Sequence, residues 1–416
     1  MSNLEELIEK LCPDGVEYKT LGELGKFYGG LTGKSKEDFK EGNAKFITYK
    51  NVYSNPALDL DVEDRVRIYP DENQRILEYG DVIFTGSSET PDECGFASVL
   101  TKKTDEKLYL NSFCFIFRFN DVSVMLPDFS KHLFRCNFLR YQIGKTASGV
   151  TRFNVSKKLM AKVKLPVPPL EVQREIVRIL DNFTFLTTEL AAELAARQKQ
   201  YEYFRDLLLN DCNGTNGKII DMLVQPITDG PHTTPTLVSS GIPFVSAEAI
   251  FDGRVNFEKK RGFITEKFHL ECCRKYKPQK NDVYLVKSGS TTGKVAYVYT
   301  DEEFNIWSPI AALRTNADNS SRFLFHLLQS NKIQQQVKSK SSHGSQPNLS
   351  MRVLEQFDVV IPSLEEQNQI ANLLDRFDTL CNNISDGLPA EITMRQKQYE
   401  YYRDKLLTFK ELKKEA

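Results

Sequence analysis

One helical segment is written twice in this chain. Pro169–Phe183 reads P-L-E-V-Q-R-E-I-V-R-I-L-D-N-F and Ser363–Phe377 reads S-L-E-E-Q-N-Q-I-A-N-L-L-D-R-F. Farther along, R-Q-K-Q-Y-E-Y-F-R-D at Arg197–Asp206 returns as R-Q-K-Q-Y-E-Y-Y-R-D at Arg395–Asp404, with seven consecutive identities at Arg197–Tyr203 and Arg395–Tyr401. Such a duplication dictates two similar working parts on one frame.

The repeat reaches back into the preceding regions. Phe129, His132 and Leu133 align with Phe323, His326 and Leu327, 194 positions later, and Asn154, Ser156 and Pro168 align with Asn348, Ser350 and Pro362. The offset is still 194 at Phe183 and Phe377 but 198 at Arg197 and Arg395, so the second copy carries four extra residues inside its helix. Farther upstream only an echo survives, G-D-V-I-F-T-G-S-S at Gly80–Ser88 against N-D-V-Y-L-V-K-S-G-S at Asn281–Ser290. A shared frame with divergent loops predicts two readers with different targets.

A length of 416 residues allows two to four domains of about 100–200 residues. The net charge of -1 excludes a histone-like polycation, though local basic patches remain compatible with nucleic-acid binding. The eight cysteines form no C-x-x-C pair, which is poor material for zinc or a disulfide framework and fits reduced thiols in a cytoplasmic protein. The opening M-S-N-L-E-E-L-I-E-K is acidic and amphipathic, unlike a signal peptide. No apolar run approaches the roughly 20 residues that span a bilayer.

Short β-like runs at Val82–Phe84, Phe113–Phe119, Val283–Leu285 and Val295–Val298 alternate with Gly, Asn, Asp and Pro clusters. Helical stretches are expected around Asp128–Ile143 and Ser321–Val337, giving mixed α and β (α+β) globular parts. Prolines at 166, 168, 169 and 362 then end a strand and start a long helix. In the first such helix Ile176, Leu180, Phe183, Leu190, Leu194, Tyr201, Phe204 and Leu208 mark a coiled-coil seam, with Thr187 and Arg197 filling it. The second runs through Ile370, Leu374, Phe377, Cys381, Ile384, Leu388, Ile392, Arg395, Tyr399, Tyr402 and Leu406, with a four-residue stutter at Ile384–Leu388–Ile392. Two matching seams predict an antiparallel pair. The expected division is 1–168 and 213–362 as globular parts, with 169–212 and 363–416 as helices. Within the first helix, T-T-E-L, A-A-E-L and A-A-R-Q form tetrads over Thr187–Gln198; each tetrad adds about 6 Å of helix.

This layout, together with L-C-P-D-G-V-E-Y at Leu11–Tyr18 and I-T-D-G-P-H at Ile227–His232, resembles the specificity subunit of type I restriction-modification enzymes over essentially the whole chain. The resemblance implies a non-catalytic DNA reader. Its two target-recognition domains, related by a pseudo-twofold repeat, would each read half of a split, asymmetric site. The antiparallel helices would set the unread gap and dock two methyltransferase subunits, and the tetrads look like the family's spacer repeats. S-adenosylmethionine would belong to those adenine-methylating partners, with no cofactor or metal in this chain. Restriction subunits combining motor and nuclease would cut unmodified DNA.

DNA reading needs cations for phosphates and polar groups for base edges. Acid-free stretches precede the shared helices: Ile143–Leu165 holds Lys145, Arg152, Lys157, Lys158, Lys162 and Lys164, and Asn331–Leu354 holds Lys332, Lys338, Lys340, His343 and Arg352. The loops after the echoed strands offer Thr85, Ser87 and Ser88 in one half and Lys287, Ser288, Ser290 and Lys294 in the other. Lys34, Lys50 and His232 complete the candidate DNA contacts. The helix-pair or partner candidates are Ile176, Leu180, Phe183, Leu190, Leu194, Tyr201, Phe204, Ile370, Leu374, Phe377, Tyr399 and Tyr402. His132 and His326 repeat, yet a helical histidine beside Phe and Leu reads as packing.

Two glycine-rich stretches, Gly29–Ser35 and Gly289–Val295, place three residues between their outer glycines where a phosphate loop needs four. There is no N-P-P-[FY] adenine-methylation signature. Those absences favour a recognition role over a fused restriction enzyme that carries its own reader. A protein scaffold with two interaction domains is the other alternative.

Overall fold

The computed structural model describes residues 2–342, 346–382 and 387–413. The chain divides into two compact units, Met1–Glu189 with Thr393–Ala416, and Leu190–Ile392. Each unit therefore takes one globular part and helical segments from both copies of the repeat.

The first unit is built on an antiparallel sheet of four strands in the order Gly25–Gly29, Cys114–Phe119, Val82–Thr85, Ala97–Val99. All four residues of Val82–Thr85 are buried, so this strand reads as an unbroken apolar run rather than an alternating one. In the second unit Val283–Val286 takes the same place between Ile310–Leu313 and Val295–Tyr297. The pairings correspond: Val82 faces Phe117 and Val99, while Val283 faces Leu313 and Tyr297. Each unit also has a smaller sheet with one parallel pair, Ala44–Ile47 beside Leu108–Leu110 and Ile242–Val245 beside Asn305–Ile306.

The echoed aspartates lie just before these central strands. Asp81 is buried and receives two hydrogen bonds from Arg118, each 2.7 Å. Asp282, equally buried, receives the same fork from Arg314 at 2.6 and 2.7 Å. The weak sequence echo thus marks an ion pair that pins the same two strands in both units.

The central helix, Leu170–Asn210, is 41 residues long. Its seam residues are buried or half-buried throughout, with Ile176 and Leu180 fully enclosed. In the first unit Phe183 stacks on Tyr402, and in the second Phe204 stacks on Phe377. An early residue of one helix meets a late residue of the other copy, then the reverse, which is antiparallel order. Gln173 and Gln367 open the two helices identically. Each accepts an N–H from the preceding segment (Leu126, Ser320) and donates to the proline carbonyl five residues before it.

The structure corrects the second helix. It is two helices, Leu364–Asn382 and Leu388–Leu406, and it ends at Leu406 rather than near 416. Gly387 is not helical, and Pro389 has no N–H for the ladder and fits only a first turn. The expected stutter therefore falls at a helix break, and its residue Ile384 lies outside the described residues. The helical stretches expected around Asp128–Ile143 and Ser321–Val337 are each made of two helices, Pro127–Leu133 with Asn137–Gly144 and Ser321–Gln329 with Asn331–Lys340.

That split gives a role to the aspartate that ends each copy of the duplicated Arg197–Asp206 and Arg395–Asp404 segment. In the first unit the carboxylate of Asp404 accepts the Asn137 N–H at 2.8 Å, and in the second Asp206 accepts the Asn331 N–H at 2.9 Å. Each aspartate thereby caps the start of a helix whose first N–H groups lack partners. The motif tyrosines act beside them. His132 sits between the Tyr399 hydroxyl, 2.9 Å from Nδ1, and Asp181, 2.8 Å from Nε2. His326 sits between Tyr201, 3.0 Å from Nδ1, and Asp375, 2.6 Å from Nε2. A carboxylate only accepts, so Nε2–H donates to it and Nδ1 accepts the phenol.

Burial holds both histidines below the usual value of 6.5, outweighing their hydrogen bonds to aspartate. Burial alone would raise Asp181 and Asp375, but bonds from the histidines and from Lys131 and Arg322 hold both below the usual carboxylate range. A histidine depressed in the folded state binds fewer protons than it does unfolded. Its stabilisation is complete above about pH 6.5 and is lost as pH falls from there toward the folded value. The aspartates lose theirs in the same direction at lower pH. Thermal unfolding should therefore occur at lower temperature at pH 5.5 than at pH 7.5. In the His132→Gln/His326→Gln variant that interval should be flatter on a lower plateau, and an unaltered slope would assign the dependence elsewhere.

Candidate nucleic-acid interface

In each unit the loop after the central strand is joined to the acid-free stretch by the shared asparagine. Asn154 pairs with Ser87 and Phe153 with Ser88 in an antiparallel ladder. In the second unit Asn348 bridges antiparallel to Ser288. The flanking bonds match too, Val155 N–H to the Gly86 carbonyl at 2.9 Å and Leu349 N–H to the Lys287 carbonyl at 2.7 Å. Two candidate regions far apart in sequence thus meet at one place in each unit.

A cleft opens there in both. In the first unit it has a volume of about 530 Å³ and is bounded by Tyr49 and Tyr53, the loop Ser87–Glu89, Glu93, Phe113, and the hairpin residues Thr151 and Arg152. Tyr49 donates to the Ser87 carbonyl at 2.9 Å and stacks on Tyr53. Tyr53 and Ser88 both donate to Glu93, at 3.1 and 3.0 Å. Bonds from Ser88, Thr90 and Tyr53 hold the Glu93 carboxyl below its ordinary value. Arg152 donates to the Ser87 hydroxyl at 3.3 Å and lies 5.8 Å from the ring centre of Phe113, which is 58% exposed. The hairpin tip carries Val150, 92% exposed.

The second unit's cleft, about 650 Å³, is lined by Gly289, Ser290, Thr292, Gln334, Val337, Lys338, Ser341, Ser342 and Pro347. Gly289 and Gly293 adopt φ of +100° and +97°, which suit glycine, and fold Lys287–Lys294 back on itself. Among the described residues no carboxylate lines this cleft, in contrast to the first.

Ser87, Ser88 and Arg152 thus converge in one cleft, and Ser290 and Lys338 in the other, beside Ser288. Lys145, Lys294 and Lys340 are exposed, each within 6 Å of a ring centre: Tyr141 at 4.0 Å, Phe251 at 5.9 Å and Phe357 at 5.3 Å. Lys50 is exposed on the short helix Tyr49–Ser54. His232, largely exposed, lies 3.2 Å from Asp229. His343 lies outside the described residues.

Three expected contacts need correction. Thr85 is fully buried, and its hydroxyl accepts the Phe96 N–H at 2.9 Å, so it supports the loop and faces no solvent. The Lys34 ammonium is enclosed against Glu72 and the Arg67 carbonyl. Lys287 is buried and lies 3.4 Å from Asp229, a buried carboxylate it shares with Lys275. Sequence reading also missed Tyr49, Tyr53, Glu89, Glu93 and Phe113; the Tyr-x-x-x-Tyr spacing of the first two places both rings on one helical face and was the available signal. Among the described residues no group of three His, Cys, Asp or Glu side chains is placed to hold a metal, and no helix is long and apolar enough to cross a membrane.

The family model described as the type I restriction modification DNA specificity domain matches residues 13–197 and 232–394. The chain belongs to this family. The two specificity domains coincide with the two copies of the internal repeat. The specificity subunit of the EcoR124I/EcoR124II type I restriction enzyme of Escherichia coli is 33% identical over 267 residues, 61% of this chain and 65% of that protein. The match thus spans just under two thirds of that subunit's length. A putative type I restriction enzyme specificity subunit of Haemophilus influenzae is 32% identical over 293 residues, 67% of this chain and 71% of the relative. A solved structure reported for complex assembly and conformational transition of the type I restriction-modification system shares the fold, with a TM-score of 0.64 and 17% identity over 95% of this chain and 98% of that one. The S subunit from M. genitalium aligns at a TM-score of 0.50 and 14% identity, covering 94% of this chain and 96% of that one.

Proposed function

We propose that this specificity-family chain is the DNA-recognition subunit of a type I restriction-modification complex, each unit reading one half of a bipartite, asymmetric site. The observation that carries the reading is the matched pair of clefts. Both occur where the shared asparagine joins the post-strand loop to the acid-free stretch, and their linings differ chemically. A common frame presenting unlike polar edges is what two half-sites of different sequence require. In this reading the helices set the unread gap and dock two methyltransferase subunits, which carry S-adenosylmethionine and methylate adenine. Restriction subunits join the same complex, and the chain itself works in the cytoplasm without catalysing a reaction.

The test is selection from random duplex DNA by the full chain. The expected product is two short conserved blocks separated by a fixed unread interval, bound with an affinity that falls steeply between 50 and 200 mM salt as phosphate contacts are screened. Recovery of unpatterned sequences, or binding indifferent to salt, would favour a protein scaffold.

A further inference from the structure

The first unit's cleft contains two carboxylates that do different work. Glu93 is engaged by Ser88 and Tyr53 and forms part of the wall. Glu89 is exposed on the loop of the same cleft and makes no protein hydrogen bond or ion pair among the described residues. A carboxylate facing the phosphate-rich surface of DNA is repelled by it, a cost that a hydrogen bond accepted from a base amino group offsets. Among the described residues the second unit's cleft has no carboxylate, so Glu89 belongs to the individual reader and not to the frame. Arg152 complements it. One guanidinium N–H is fixed by Ser87 and the group lies near Phe113, while its terminal N–H groups make no bond to the described residues. A guanidinium held at one end with a free fork at the other suits the two acceptors on a guanine edge.

We propose that Arg152 and Glu89 are specificity-determining residues of the first unit. Arg152 donates to O6 and N7 of a guanine, and Glu89 accepts from the N4 amino group of a cytosine, both in the major groove of one half-site. Ser87 and Phe113 position the arginine, and Glu93 holds the wall through Tyr53 and Ser88. This assignment rests on the DNA-reading function proposed above.

The experiment repeats the random-duplex selection with the full chain carrying Glu89→Gln, Arg152→Lys or, as a surface control, Glu37→Gln. Wild-type chain should select a half-site containing a guanine and a cytosine. Glu89→Gln should lose discrimination at the cytosine, and Arg152→Lys at the guanine, by about tenfold or more. Glu37→Gln, a change at an exposed carboxylate outside the cleft, should leave the selected bases unchanged. The remaining bases of that half-site and the whole of the other should persist in every variant, which reports intact folding of both units within the same molecules. Uniformly weaker binding with an unaltered motif would make both residues phosphate or surface groups and overturn the assignment. Relaxation in both half-sites would overturn it too. A wild-type chain that selects no motif would instead remove the DNA-reading function, and the assignment with it.

Discussion

Replacing Tyr399 by alanine is expected to loosen the first unit, although Tyr399 lies near the end of the chain and the globular part it holds lies near the start. Its ring is 6% exposed and belongs to the same apolar core as Phe129, Leu133, Leu180 and Leu407. Burial pushes its hydroxyl up to about 12, so it stays protonated and donates to His132. Truncating a buried aromatic ring to alanine costs about 3–5 kcal/mol. Tyr399→Phe keeps the ring but leaves the His132 Nδ1 acceptor buried without a partner, at about 1–3 kcal/mol. With two units a single unfolding free energy is ill defined, so amide hydrogen exchange is the suitable measurement. Tyr399→Ala should lower protection in Pro127–Leu133, Asn137–Gly144 and Leu388–Leu406, and leave Ser321–Gln329 as in the wild type. Tyr201→Ala should do the opposite, exposing Ser321–Gln329 and Asn331–Lys340. Lost protection in the wrong unit, or in neither, would contradict this cross-wired docking.

The repeat makes much of this legible in the sequence alone. Its 194-residue offset put Asn154 on Asn348, and both asparagines do the same job; among the described residues its seams fall on positions that are buried or half-buried in the fold. What sequence could not say was which copy of the motif serves which globular part. Spacing fixes the face of a helix that is apolar but not the surface that covers it, and Tyr201 and Tyr399 are interchangeable until the packing is known. His132 and His326 were read as packed, which they are, yet their value lies in polar partners from two other helical segments. Lys34 misleads because its neighbours Gly33 and Ser35 are exposed, and Thr85 because it leads from a strand into a loop of small polar residues. Their partners, Phe96 and Glu72, come from elsewhere in the sequence. The clefts were half visible: the serines and Arg152 stood out as donors, whereas Glu89 and the tyrosines matter only where folding brings them together.

Arg118→Met should destabilise the first unit by about 3–5 kcal/mol at pH 7, because it strands a buried carboxylate rather than because the ion pair itself is strong. Asp81 is enclosed, and burial already raises its pKa above the ordinary value of 3.8 despite Arg118. Without the arginine the rise must be larger. A carboxyl whose folded pKa lies above the unfolded one binds more protons when folded, so the variant's deficit is full above the folded value and shrinks as pH falls through it. Adding Asp81→Asn removes the charge and should recover most of the loss at neutral pH, the non-additivity expected of residues in direct contact. In the second unit Arg314→Met should likewise cost stability at pH 7 and Asp282→Asn should recover most of it, where Asp282 also accepts from Tyr276 and the Gln279 N–H. Hydrogen exchange at Val82–Thr85 and Val283–Val286, followed at pH 7 and pH 5, distinguishes the two units. If Arg118→Met and the double variant lost equal protection, the arginine would be acting through its bond to the Ile76 carbonyl, and the conserved feature of the two units would be loop anchoring instead of charge compensation.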